Sequence, residues 1–196
     1  MKPGFYRLAR TLMRAYYGLL HPIRIHNPEN IPTGGPAIVC GNHISMNDPL
    51  VVGCCMNAPL QFMAKKELFA AKPLKPILDA LGAFPVDRGA SDTTALRTAI
   101  NVLKENRILG IFPEGTRHFD EQEHPIESGV ALIALRAKAT LVPVFIEGPY
   151  RKFRPVHVTF GAPISFADHE GRIDRAAIDG ATKRIGDSIW ALKSAK

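Results

Sequence analysis

Several features that would fix a function early are scarce in this chain. Of 196 residues only three are cysteines, and Cys40, Cys54 and Cys55 all lie in apolar surroundings. An odd count in such settings reads as reduced, buried thiols, which excludes a disulfide framework and gives no metal-ligand spacing. Long hydrophobic runs are missing too. The longest candidate, Pro49 to Ala64, is broken by Asn57, Gln61 and two prolines, short of the ~20 uninterrupted apolar residues a spanning helix needs. The N-terminus carries no small-residue cleavage site behind an apolar core, so no secretory signal is expected. Glycine-x-serine-x-glycine, the elbow of a covalent serine nucleophile, does not occur. No tract of five or six basic residues occurs, and aromatics are not interleaved with the basic ones, so no nucleic-acid groove is specified.

What the chain does have is core material and positive charge. Hydrophobic residues make up 46%, enough for one domain of this length. A net charge of +7 favours anionic partners: nucleic acid, anionic lipid or an acidic carrier protein.

Apolar runs bounded by glycine and proline alternate with helical patterns. Strands are expected at Pro36–Cys40, Gln61–Ala64, Ala83–Val86, Ile108–Phe112, Leu141–Ile146 and Val156–Phe160. Helices are expected at Ser91–Glu105, with Ser91 as cap, at Gly129–Lys138 and at Ile173–Lys193. This alternation predicts an α/β fold, a single domain with a largely parallel central sheet flanked by helices, plus an N-terminal amphipathic helix. Ligands of such sheets bind beyond the carboxyl ends of the strands. The polar stretches "NHISMND", "AKKEL", "VDRG" and "PEGTR" follow four successive strands and should converge on one cleft.

The stretch from Asn42 to Asp48 carries a candidate base. A histidine near neutrality can take a proton from a hydroxyl, and a carboxylate on its other ring nitrogen fixes the tautomer. Five residues along one helix rotate by about 500°, so the pair cannot share a helix face. His43 must sit in a loop, with Asp48 pointing back from the first turn of a helix. The same residues also read as a helix start, Ser45-x-x-Asp48 with Pro49 behind it. Without a covalent nucleophile, His43 would activate a substrate hydroxyl, which favours transfer over hydrolysis. "FPVDRG" (Phe84–Gly89) and "FPEGTR" (Phe112–Arg117) each place an arginine beside glycine or threonine at a strand end, suited to a phosphate-like anion. A surface ion pair at Asp87-Arg88 is the plainer alternative.

The N-terminus, "FYRLARTLMRAYYGLL", sets Phe5, Leu8, Ala9, Leu12, Met13, Tyr16, Tyr17 and Leu20 on one stripe and Arg7, Arg10 and Arg14 on the other face. An interfacial helix with arginines towards anionic lipid has this pattern. So has a helix packed on its own domain.

Taken in order, these blocks resemble the lysophosphatidic acid acyltransferases (1-acyl-glycerol-3-phosphate acyltransferases) of the glycerolipid acyltransferase superfamily. Asn42, His43 and Asp48 match their Asn-His-x-x-x-x-Asp block, "FPVDRG" the second, "FPEGTR" the third, and Val142-Pro143-Val144 the fourth. The likeness runs from about Pro36 to Gly148. It implies transfer of a fatty acyl group from the thioester of acyl carrier protein or coenzyme A to the free hydroxyl of 1-acyl-glycerol-3-phosphate, giving phosphatidic acid. His43 would be the base and Asp48 its orienter. Asn42, Lys65, Arg88, Glu114, Gly115, Thr116, Arg117 and Pro143 would bind substrate. The resemblance implies no cofactor or metal and no nucleic acid. It implies a chain peripheral on the inner, cytoplasmic face of the cell membrane, with residues 1–30 as membrane-association segment and 31–196 as acyltransferase domain. One departure stands out: relatives commonly have Phe-Lys-x-Gly after the third block, where this chain has Ile126-Glu127-Ser128-Gly129 behind the acidic Asp120, Glu121 and Glu123. Acylation of another lysolipid, thioester hydrolysis and non-catalytic lipid binding remain as other outcomes of the same pattern.

Overall fold

The strands alternate which side chains they send to each face of the sheet. In the strand Ala37–Gly41 (β2), Ile38 and Cys40 join one apolar layer while Ala37 and Val39 join the other. Thr140–Glu147 (β6) repeats this, with Leu141 and Phe145 on one face and Val142, Val144 and Ile146 on the opposite one. A sheet apolar on both faces has to be covered on both.

The computed structural model describes residues 1–87, 92–118, 122–148 and 150–194. The remaining strands are Ile23–His26 (β1), Leu60–Lys65 (β3), Phe84–Val86 (β4), Ile108–Ile111 (β5), Val156–Phe160 (β7) and Ile164–Ser165 (β8). They form one sheet in the order β1-β7-β6-β2-β5-β3-β4, with β8 on β6. From β6 to β4 every pairing is parallel, whereas β7 and β8 run antiparallel to β6. The six expected strands are all present. Two short ones, β1 and β8, were not read from the sequence.

The helices are Pro3–Leu20 (α1), Asp48–Cys55 (α2), Lys75–Leu81 (α3), Thr93–Lys104 (α4), Gly129–Ala137 (α5) and Arg175–Trp190 (α6). Residues of α4, α5 and α6 pack on one face, and residues of α1 and α2 on the other. The cap of α4 is Asp92, whose carboxylate accepts from the amides of Thr94 and Ala95 at 3.0 and 2.9 Å. It replaces the expected Ser91, which lies outside the described residues.

Strand β1 falls inside the stretch 1–30 and pairs with β7 in the central sheet. The N-terminal helix corrects one expectation, for its three arginines do not all face outward. Arg14 donates to the carbonyls of Cys54 and Met56 at 2.8 and 3.0 Å, and Arg10 to those of Met56 and Asn57. Those groups lie at the carboxyl end of α2, where helix carbonyls lack intrahelical partners and the dipole favours cations. Tyr6 and Tyr17 are buried on the same inward side. The apolar stripe therefore splits: Phe5, Leu8, Leu12 and Tyr16 remain exposed, and so, outside the expected stripe, does Leu19, by 72%. Among the described residues no helix is long and apolar enough to cross a membrane.

Candidate active site

Asp48 is the first residue of α2, and its side chain turns back onto the loop before it instead of capping the helix. Its Oδ2 lies 2.8 Å from His43 Nδ1 and accepts from the amides of Ile44 and Ser45, both at 2.7 Å. Its Oδ1 accepts the hydroxyl of Tyr150 at 2.6 Å. A carboxylate can only accept, so Nδ1 carries the proton and Nε2 is left as the basic nitrogen. Asp48 is fully buried and His43 nearly so. With four donors around it, the carboxylate's burial is offset by hydrogen bonds.

The imidazole is held on its face as well. The Phe112 ring stacks on it at 4.4 Å between centroids, and Phe62 lies parallel to Phe112 at 5.7 Å. Gly110 makes that layer possible, because a Cβ there would stand 2.3 Å from the Phe62 ring. The third block is tied to the first by the amide of His118, which donates to the His43 carbonyl at 2.9 Å.

Two cavities meet at this loop. The front one, about 370 Å³, has His43 and the cations Arg10, Lys65 and Arg117 in its lining. Its walls are apolar, with Met13 from α1, Leu50 from α2, Phe62 from β3 and Leu78 from α3. Its size is that of ordinary ligand pockets. The rear one, about 510 Å³, is more polar and takes in Asn42, Ser45, Glu114, His118 and Tyr150.

Of the residues expected from the sequence, the structure brings His43, Asp48, Lys65 and Arg117 to one place. Lys65 is exposed and 3.2 Å from Glu67. Glu114 is buried and borders the rear cavity, 4.0 Å from His118. Gly115, at φ +69°, forms the turn of the third block in a conformation glycine tolerates best, and Thr116 beside it is exposed. Asn42 is a brace: its amide donates to the Ile146 carbonyl at 3.0 Å and accepts from the Ile146 amide at 2.7 Å. Both ends of its amide are thus engaged by β6, and the residue also borders the rear cavity. Pro143 is buried within β6 and borders neither cavity. Arg88 lies outside the described residues, while Asp87 before it pairs with Lys66 at 3.1 Å. Glu127 is exposed, its Cγ 3.7 Å from the point a Cβ on Gly115 would occupy.

Sequence reasoning missed Tyr150 and the ring layer of Phe62 and Phe112. The only signal for Tyr150 was its place just past the end of β6, at the same sheet edge as the other blocks.

A buried His–Asp pair at the carboxyl edge of a parallel sheet, facing an apolar cavity with cations in its lining, is the outfit of an acyl-transfer enzyme. The profile of the Acyltransferase family matches residues 22–147, and the chain belongs to that family. The 1-acyl-sn-glycerol-3-phosphate acyltransferase of Bacillus subtilis (strain 168) is 29% identical over 196 residues, covering 96% of this chain and 97% of that protein. The enzyme of the same name from Streptococcus pneumoniae is 36% identical over 176 residues, covering 85% of this chain and 64% of its own. The crystal structure of the 1-acyl-sn-glycerophosphate (LPA) acyltransferase PlsC from Thermotoga maritima shares the fold, with a TM-score of 0.73 at 24% identity over 96% of this chain and 80% of that one. The family resemblance drawn from the four blocks holds.

Proposed function

We propose that this acyltransferase moves a fatty acyl group from the thioester of acyl carrier protein or coenzyme A to the free hydroxyl of 1-acyl-glycerol-3-phosphate. The observation that carries this reading is the His43–Asp48 pair opening on an apolar cavity whose lining holds Lys65 and Arg117. His43 Nε2 takes the hydroxyl proton as the hydroxyl oxygen attacks the thioester carbonyl. Asp48 stabilises the imidazolium that forms. The tetrahedral oxyanion then collapses, the carbon–sulfur bond breaks, and the thiolate leaves with the proton that His43 held. The apolar walls take an acyl chain, and the cations in the lining take the acceptor's phosphate. The names of the curated relatives support this choice of acceptor.

Membrane contact through α1 belongs to the same reading, since donor chain and acceptor are both amphiphiles. The exposed side chains Phe5, Leu8, Leu12, Tyr16 and Leu19 form the stripe that would enter the headgroup boundary, at the inner face of the cell membrane.

Purified protein given acyl-coenzyme A or acylated carrier protein, with lysophosphatidic acid or other lysolipids, tests the proposal. Phosphatidic acid should form, and His43→Ala should lower transfer by roughly a hundredfold or more while the fold is kept. Free fatty acid released equally fast without acceptor would make the enzyme a thioesterase. Half-activity in His43→Ala would remove His43 from the mechanism.

A further inference from the structure

The two oxygens of Asp48 are used differently. Oδ2 is shared by His43 and two backbone amides of its own loop, all within five residues in sequence. Oδ1 is reached from across the sheet edge, by a hydroxyl 102 residues away. We infer that Tyr150 is a positioning residue for the catalytic pair, its hydroxyl fixing the plane of the Asp48 carboxylate and drawing off part of its charge.

The segment that carries Tyr150 is itself held. The Tyr150 ring meets His21 edge-on at 6.5 Å, and His21 Nδ1 lies 3.1 Å from the Arg151 carbonyl. The Phe153 amide donates to the Leu20 carbonyl at 2.6 Å. The phenol is thus delivered from a segment fastened to the end of α1, and it has little freedom to leave. Burial, and next the charge of Asp48, hold its proton well above the usual phenol range, so the hydroxyl keeps the proton that it donates to Oδ1.

Two consequences follow for catalysis. Oδ2 is held by two amides of its own loop, and the phenol adds a donor from across the sheet edge at the other oxygen, so that the carboxylate plane that aligns the imidazole is fixed from both sides. Secondly, a phenol donating to Oδ1 competes with the imidazolium for the same negative charge. Removing it leaves more of that charge for His43, so the base is lost to protonation at a higher pH. Other titratable groups near the pair or the phenol are Tyr17, which interacts with both Asp48 and Tyr150, Cys55, which interacts with Tyr150, His21 against the Tyr150 ring, His118 and Glu114 on the rear cavity, and Arg10, Lys65 and Arg117 on the front one.

The inference rests on His43 as base, and its test separates the two. Tyr150→Phe should lower kcat by about tenfold, the scale of one charge-assisted hydrogen bond. KM for both substrates should stay within about twofold, and the acid limb of the pH–rate profile should move up by about half a pH unit. In an Asp48→Asn background the same change should add almost nothing. A sterically close second variant, 3-fluorotyrosine at position 150, strengthens the phenol as a donor and should move the acid limb downward. An unchanged kcat, a loss equal at every pH, or a raised KM at constant kcat would overturn the role. If the wild type transfers no acyl group at all, the low-field proton resonance of His43 Nδ1 still decides. Its displacement in Tyr150→Phe supports the positioning role independently of substrate, and an unmoved resonance removes it.

Discussion

Arg117 is the residue on which the acceptor reading turns most directly. It is exposed and lines the front cavity together with His43, and a guanidinium there can take a phosphate by two parallel hydrogen bonds. Arg117→Ala should cost about 1.5–3 kcal/mol of acceptor binding, read as a KM for lysophosphatidic acid raised roughly tenfold to a hundredfold, with the donor's KM unmoved. An equal effect on both substrates would take Arg117 away from the phosphate. Glu127 stands near the same turn, exposed beside Gly115, and solvent screening at that position weakens its repulsion of an anionic head. At this scale the sequence was informative where chemistry is local. The five-residue separation of His43 and Asp48 demanded a loop followed by a helix start, and that is their arrangement. Asn42 was expected at the substrate from its match to the family block; its bonds to Ile146, 104 residues on, could not be read from that match. Tyr150 was invisible for the same reason. A contact made across the sheet edge leaves no spacing to read.

Among the elements, α1 separates what periodicity can tell from what it cannot. The 3.6-residue repeat gave the helix and its apolar stripe, but not which flank of the stripe turns inward. That was decided by α2, whose free carbonyls at Cys54 and Met56 draw Arg14, and Arg10 with it, to the domain side. Strands β1 and β8 escaped notice because each is short, one with two isoleucines among four residues and the other with only two residues in all. The split of α1 yields a paired expectation. Replacing Leu8 and Leu12, exposed by 58% and 57%, with glutamine removes apolar area that would enter a lipid surface at about 25 cal/mol per Å². The double variant should lose at least about tenfold in vesicle affinity without a lower melting temperature. Arg10→Gln with Arg14→Gln should do the reverse, lowering the melting temperature while most vesicle binding persists. Flotation with anionic vesicles, alongside thermal unfolding of both variants, is the measurement. Wild type left wholly unbound would assign the stripe some other partner. Arginine variants that keep their stability would mean that the α2 carbonyls are as well satisfied by water.

For the molecule as a whole, the sheet that gathers the site also buries the thiols, and this sets its behaviour in alkali. Cys40 sits in β2 between the two layers, and Cys54 and Cys55 end α2. Burial pushes all three upward, Cys55 to about 12 against an ordinary value of 9.0, with the neighbouring Cys54 adding to the shift and Arg14 opposing it. The direction of the linkage follows. Below pH 9 the thiols are protonated in folded and unfolded chains alike, and their contribution is complete. Between pH 9 and about 12 the unfolded chain releases the proton of Cys55 while the folded chain keeps it, so stability falls by about 1.4 kcal/mol per pH unit for that thiol. Unfolding by urea in the presence of a reductant should therefore give a plateau from pH 7 to 9 and a steep decline above it. Cys55→Ala isolates one group. At pH 8 it should be less stable than wild type, because a buried side chain has been shortened. Its deficit should shrink as the pH rises, since the variant has one fewer proton to lose on unfolding. A deficit that stays constant from pH 8 to 11 would mean that Cys55 ionises as readily in the fold as out of it, and would place water at the end of α2.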